Sequence, residues 1–269
     1  MNKLAFVAAG ALAVFTATAA QASAVAPFGS TLATLTPDHS GNGRALAFDP
    51  KSGHLFYTNA GDDHIYVVDT SGADVATLTT AYNYGSLSWD SKDAVLWGGR
   101  YDGSGAIDTV DPMTGASTPQ FAFAFPPGDS CYPQPPGFTD GLAFDRITET
   151  LWLSDDNARH VFHVTLTGTE LSNFLVPDGK CNTGIASIGQ FLWLARQSGP
   201  DTAPYDVARV AKSDPTTVIS SFAFDHGVGP EGIAVDKDTF VPNCTVWTNQ
   251  FGTTTLTAWA VEPGCPANS

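Results

Sequence analysis

Basic residues are scarce. The chain of 269 residues holds 12 Lys and Arg against 27 Asp and Glu, for a formal net charge of −15. Such an acidic surface repels nucleic acid and anionic lipid, so neither is expected as a partner. Long apolar runs are missing beyond residue 20, which leaves no membrane span in the remainder. No later stretch repeats apolar residues at a helical period. The Gly-x-Ser-x-Gly elbow, the His-Glu-x-x-His pair and the phosphate-binding Gly-rich loop are absent too. Their absence removes the sequence grounds for a serine hydrolase of that type, a zincin or a P-loop enzyme. Charged residues are only 14% of the chain, whereas 26 glycines, 18 prolines and 17 phenylalanines are present. That composition suits many short strands and tight turns.

The N-terminus has its own character. Residues 4–20 are apolar, rich in small residues and uncharged, and two small-x-small patterns follow at once. This reads as a secretory signal peptide over 1–22, cleaved after Ala22 or Ala24. The run is too short for a membrane anchor, the alternative. One domain over 25–269 is then expected in the periplasm or outside the cell, as a monomer.

A four-stranded unit is clearest at 141–145, 151–155, 161–166 and 170–175, with turn residues between the strands. It recurs. Arg44, Gly85, Asp140, Thr183 and Glu231 each open a similar apolar strand, at spacings of 41, 55, 43 and 48 residues. An aromatic follows in each second strand: Phe56, Trp97, Trp152, Trp193 and Trp247. A period near 45 with four strands per unit predicts an all-β, five-bladed β-propeller. The fifth unit has only three strands before Glu262, and residues 30–35 look like a lone fourth strand. The N-terminal strand is therefore expected to complete the last blade and remove the open edge.

First strands line the channel of such a ring. The residues that open them should ring its upper mouth. The ends of the second strands, Asn59, Arg100, Asp155, Arg196 and Gln250, are expected to supply a further ring. Together with Tyr101, the arginines Arg44, Arg100 and Arg196 and the amides Asn59 and Gln250 are candidate ligand-binding residues, because polar groups converging on one face are the default form of a pocket. Asp140 and Glu231 both precede glycine at a strand start and should point at one axis. Two carboxylates there could hold a hard cation, calcium above others, with Asn182, Asp155, Asp156 and Asn59 as further ligands. Ion pairing with Arg44, Arg100 or Arg196 is the alternative.

Four cysteines in an exported chain predict disulfides. In the blade scheme Cys131 and Cys181 fall on the upper face, and Cys244 and Cys265 on the lower face of one blade. The expected bridges are Cys131–Cys181 and Cys244–Cys265. Most tryptophans share one repeat position and are expected in the core. Trp89, Tyr84 and Tyr101 are the aromatic candidates for sugar stacking.

Blades such as 43–69 and 229–236 resemble the NHL, streptogramin-lyase and regucalcin/gluconolactonase group of propellers. In the regucalcin/gluconolactonase members, Glu-Gly, Asn-Gly and Asp-Gly at three strand starts hold one divalent cation over the channel. Glu231-Gly232 and Asp140-Gly141 match two of these. Thr183-Gly184 takes the third place, with Asn182 one residue early, and that family has six blades where five are counted here. The resemblance implies a metal that polarises a lactone or ester carbonyl, with Asp155 or Asp140 as base for an attacking water. Amidating lyases of the same group bind zinc through three histidines. His39 and His226, in matching loops, with His64 or His160, are the less favoured counterpart. The open readings are a calcium-dependent lactone or ester hydrolase, a non-catalytic module for a glycan, peptide or protein partner, and a zinc-dependent lyase.

Overall fold

A computed structural model describes residues 24–39, 41–199, 202–263 and 265. The proposed signal peptide lies outside the described residues. Five four-stranded antiparallel sheets form the ring. Blade 1 is β2 (Gly43–Asp49), β3 (His54–Asn59), β4 (His64–Asp69) and β5 (Asp74–Thr79). Blade 2 is β6 (Tyr84–Asp90), β7 (Val95–Arg100), β8 (Ala106–Val110) and β9 (Ser117–Ala122). Blade 3 is β10 (Thr139–Asp145), β11 (Thr150–Asp155), β12 (His160–Thr165) and β13 (Glu170–Leu175). Blade 4 is β14 (Cys181–Ile188), β15 (Phe191–Gln197), β16 (Asp206–Ala211) and β17 (Asp214–Ala223). Blade 5 is β18 (Pro230–Asp236), β19 (Asn243–Gln250) and β20 (Leu256–Pro263), completed by β1 (Thr31–Leu35).

The N-terminal strand closes the ring as the repeat predicts. β1 lies antiparallel to β20, with Thr31 opposite Trp259 and Leu35 opposite Leu256. Closure satisfies the β20 edge with the chain's own backbone.

Each blade buries its faces against its neighbours, so the core is five apolar layers rather than one centre. Trp97, Ile107 and Phe123 of blade 2 pack on Leu142, Phe144 and Leu151 of blade 3. Trp152 and Val161 pack on Ile185 and Leu194. Trp193 and Trp247 are both wholly buried. Burial of large side chains in these layers is the main stabilising term, roughly 1.5–3 kcal/mol for each one.

An Asp ends four of the five first strands, and the structure explains it. Asp90 Oδ1 accepts the Lys92 amide at 2.8 Å and its Oδ2 accepts Trp97 Nε1 at 3.3 Å. Asp145 does the same for Ile147 and Trp152, and Asp236 for Asp238 and Trp247. One carboxylate therefore closes the turn and fixes the buried indole. In blade 1 Phe56 has no indole N–H, and Asp49 accepts the Ser52 hydroxyl instead.

Both expected disulfides are present, Cys131–Cys181 and Cys244–Cys265. They fit an oxidising, extracytoplasmic environment. Among the described residues no helix is long and apolar enough to cross a membrane.

Candidate functional site

The site at the upper mouth is built around Arg44 on β2. Its Nη1 lies 3.4 Å from Asp140 Oδ2, 3.3 Å from Glu231 Oε2 and 3.7 Å from Asp156 Oδ1. Asp140 stands second in β10 and Glu231 second in β18, so two of the predicted strand starts do meet Arg44 on the axis. Tyr101 covers the guanidinium at 4.5 Å and Phe251 at 5.4 Å. Both rings present their faces to the cation, which favours the charged form further. The Tyr101 hydroxyl donates to Asp156 Oδ2 at 2.5 Å, and Gln134 Nε2 donates to the same oxygen at 3.2 Å.

The electrostatics follow from burial. Asp140, Asp156 and Glu231 are each at most 3% exposed. Burial first, and the Glu231 carboxyl second, hold Asp140 well above the usual carboxylate range. The pair thus favours sharing a proton. Burial opposes the charge on Arg44, but Glu231, Asp140 and Asp156 outweigh it and raise its pKa. Burial, then Asp140 and Asp156, raise the Tyr101 phenol and keep it a donor.

The second ring stands one residue later than the strand ends suggest. Side chains alternate faces along a strand, so a shift of one exchanges the axis for the blade interior. Arg100 turns away from the axis and grips Asp108 of its own blade with two bonds, 2.8 and 2.9 Å, beneath Tyr82. Arg196, 1% exposed, grips Asp206 in the same way. Asn59 donates to the His39 carbonyl and accepts the Thr254 hydroxyl. Gln250 Nε2 reaches the His226 carbonyl at 3.5 Å. Asp155 accepts the Gly137 and Phe138 amides at 3.0 and 2.8 Å and so anchors the loop 125–138. Burial raises its pKa to about 6 against those amides. The residues one step on are Ala60, Tyr101, Asp156, Gln197 and Phe251, and Tyr101, Asp156 and Phe251 are the three that reach Arg44. Phe251 and Gln134 were missed; the shared position just after each second strand is the signal that finds Phe251. Gly85 is the small member of the first ring for a related reason: a Cβ there would come within 2.6 Å of the Tyr101 ring.

In this structure the Arg44 guanidinium lies among the three carboxylates that would hold the implied divalent cation. Asn182, the third implied ligand, is wholly buried; its Nδ2 donates to Ser154 Oγ at 2.8 Å, while its Oδ1, like Asp140 Oδ1, has no hydrogen-bond partner among the described residues. The histidines do not converge. His39 stacks on Tyr66, His226 packs tilted against Phe224, and His160 bonds Asp129 at 2.5 Å. Among the described residues, the one close group of potential metal ligands is Asp62, Asp63 and His64, which includes neither His39 nor His226. The sugar-stacking aromatics separate as well. Tyr84 is buried and donates to Asp108 at 2.7 Å, Trp89 lies at the lower mouth, and Tyr101 alone is at the upper one.

Beside Tyr101 the upper face opens into a basin of about 590 Å³, lined by Asn59, Ala60, Asp62, Asp63 and Asn83. It exists because blade 1 carries Ala60 where other blades place Tyr101, Asp156, Gln197 or Phe251. The Asn83 carbonyl accepts the Tyr101 amide at 2.9 Å, which joins the basin to the Arg44 cluster.

No protein-family model matches the chain, and no curated protein matches it. Solved structures do match. The tail fiber of Staphylococcus aureus phage P68 is 11% identical with a TM-score of 0.57, over 86% of this chain and 52% of its own. Luciferin-regenerating enzyme is 9% identical with a TM-score of 0.55, over 88% and 98%. Virginiamycin B lyase from Staphylococcus aureus is 14% identical with a TM-score of 0.46, over 82% and 66%. The chain therefore spans about half the length of the tail fiber. At these identities the likeness is one of fold, and it places the chain among the β-propellers. The blade-level resemblance read from the sequence holds at that level.

Proposed function

We propose that the protein is an extracytoplasmic binding module whose upper face takes a neutral, polyhydroxylated ligand such as a glycan. The observation that carries this reading is the basin beside Tyr101. Its carboxylates and amides suit sugar hydroxyls as donors and acceptors. Its acidity disfavours anionic ligands. The buried Arg44 cluster then acts as the floor.

Isothermal titration against neutral and uronic-acid oligosaccharides, with and without chelator, tests it. Saturable binding of a neutral glycan is expected, unchanged by chelator and weakened about tenfold in Asp63→Ala, a loss of about 1.4 kcal/mol. Binding that vanishes with chelator would return the reading to a cation. Failure of every neutral glycan would refute it.

A hydrolase reading has one observation in its favour, the raised pKa of Asp140 beside Glu231. Two carboxyl groups sharing a proton are a form of acid–base machinery. A small lactone or ester would have to displace Tyr101 and Phe251 to reach them. Turnover in a lactone and ester panel, lost in Asp140→Asn, is the result that would support it.

A further inference from the structure

The lower mouth is chemically the reverse of the upper one. Near their ends the first strands place Phe48, Trp89, Phe144, Ile188 and Val235 around a bowl of about 140 Å³. A second space of about 90 Å³ continues inward between the same strands. Midway, Leu46, Leu87, Leu142, Ile185 and Ile233 fill the axis and leave no room for water. The two mouths are therefore separate sites.

Arg146 and Lys237 stand on the rim of this bowl. Cations are few in this chain, and most are committed. Arg44, Lys92, Arg100, Lys180, Arg196, Arg209 and Lys212 all sit in ion pairs. Arg146 is exposed and makes no ion pair among the described residues. Asp93, Glu149 and Asp238 are exposed on the lower-face turns, Glu149 paired with Lys92 at 2.7 Å, whereas the carboxylates that end the first strands are turned into the blades. Asp90, Asp145 and Asp236 hold turn amides and indoles, and Asp145 also pairs with Lys212 at 2.7 Å. Two cations, Arg146 and Lys237, thus stand beside an apolar bowl on a strongly acidic protein. Trp89 forms one wall, stacked on Phe56 at 5.9 Å and 6°.

We propose that the lower mouth is a binding site for a small aromatic carboxylate. Size sets the aromatic part: a cavity near 150 Å³ holds one benzene ring. Charge sets the rest. The ring enters against Trp89 and Phe144, and the carboxylate stays at the rim, where Arg146 can take both oxygens with parallel N–H bonds. The inference is independent of the glycan reading, since the filled axis separates the two faces.

Titration of the purified protein with benzoate and with benzyl alcohol, followed by ligand saturation transfer and the Trp89 indole N–H resonance, tests this proposal. Benzoate is expected to bind and to shift Trp89, about tenfold tighter than the alcohol. Arg146→Glu lies on an exposed turn and leaves the fold intact, so its circular dichroism and melting should match wild type. It should remove the preference for the anion. Ser187→Trp should fill the bowl and abolish binding of both. Equal affinity for acid and alcohol, benzoate binding unchanged in Arg146→Glu, or no saturable binding of either would overturn the proposal.

Discussion

Replacing Arg44 by methionine removes the one cation among three buried carboxylates and keeps most of the side chain's bulk. At 3.3–3.4 Å and an effective dielectric near 20, an ionised carboxylate at either of the two closest positions contributes about 5 kcal/mol of attraction, a term that counts once while Asp140 and Glu231 share a proton. Burying the guanidinium offsets much of that, and removal of one partner of a buried pair typically costs about 3–5 kcal/mol. For a domain of this size each kcal/mol moves Tm by about 2–4 °C, so a fall of about 6–20 °C is expected at pH 7. The loss should depend on pH, and its sign follows from linkage. Asp140 is raised in the folded state, so the native protein binds more protons than the unfolded chain above the ordinary Asp pKa. Stability from this group is greatest at low pH and falls as pH rises through its folded pKa. Without Arg44 the carboxyls are raised further, which steepens that fall. The gap between Arg44→Met and wild type should therefore narrow on going from pH 8 to pH 5, measured by calorimetry in matched buffers. Adding Asp140→Asn to Arg44→Met should recover part of the loss. A variant that melts within 2 °C of wild type across that range, a scale set by about 1 kcal/mol, would refute the argument that Arg44 neutralises the mouth.

The other predictions are narrower. Asp155 is raised to about 6 by burial, so wild type should lose stability from about pH 4 to pH 6 as this carboxyl ionises, by at most about 3 kcal/mol; Asp155→Asn should flatten that part of the Tm profile. Removing the Cys131–Cys181 bridge as a double serine variant opens a link across 50 residues. Chain entropy puts the cost at about 4 kcal/mol, and limited proteolysis should show the new cleavage in 125–138. Together with the glycan and benzoate titrations, these separate a structural charge cluster from two working faces.

The repeat made the fold legible. Aromatics at one position per unit, and an Asp ending four of the five first strands, marked the blades because the same inter-blade layer and the same turn recur five times. The meeting of Arg44, Asp140 and Glu231 was legible too, since strand starts in a ring must face one axis. The second ring was not. Period two makes neighbouring residues equally good candidates from sequence, and only Asp108 and Asp206 on the third strands show that Arg100 and Arg196 turn into their blades. Tyr84 was misplaced for the same reason: its partner, Asp108, lies 24 residues away.

Local chemistry along the chain determined the blades, the closing strand and the cysteine pairing, because each rests on periodicity or on topology that periodicity dictates. What the carboxylates hold was decided in three dimensions. The distances from one guanidinium to three blades, the apolar plug on the axis and the gap left by Ala60 are differences between equivalent positions. They acquire meaning only once the ring brings those positions face to face.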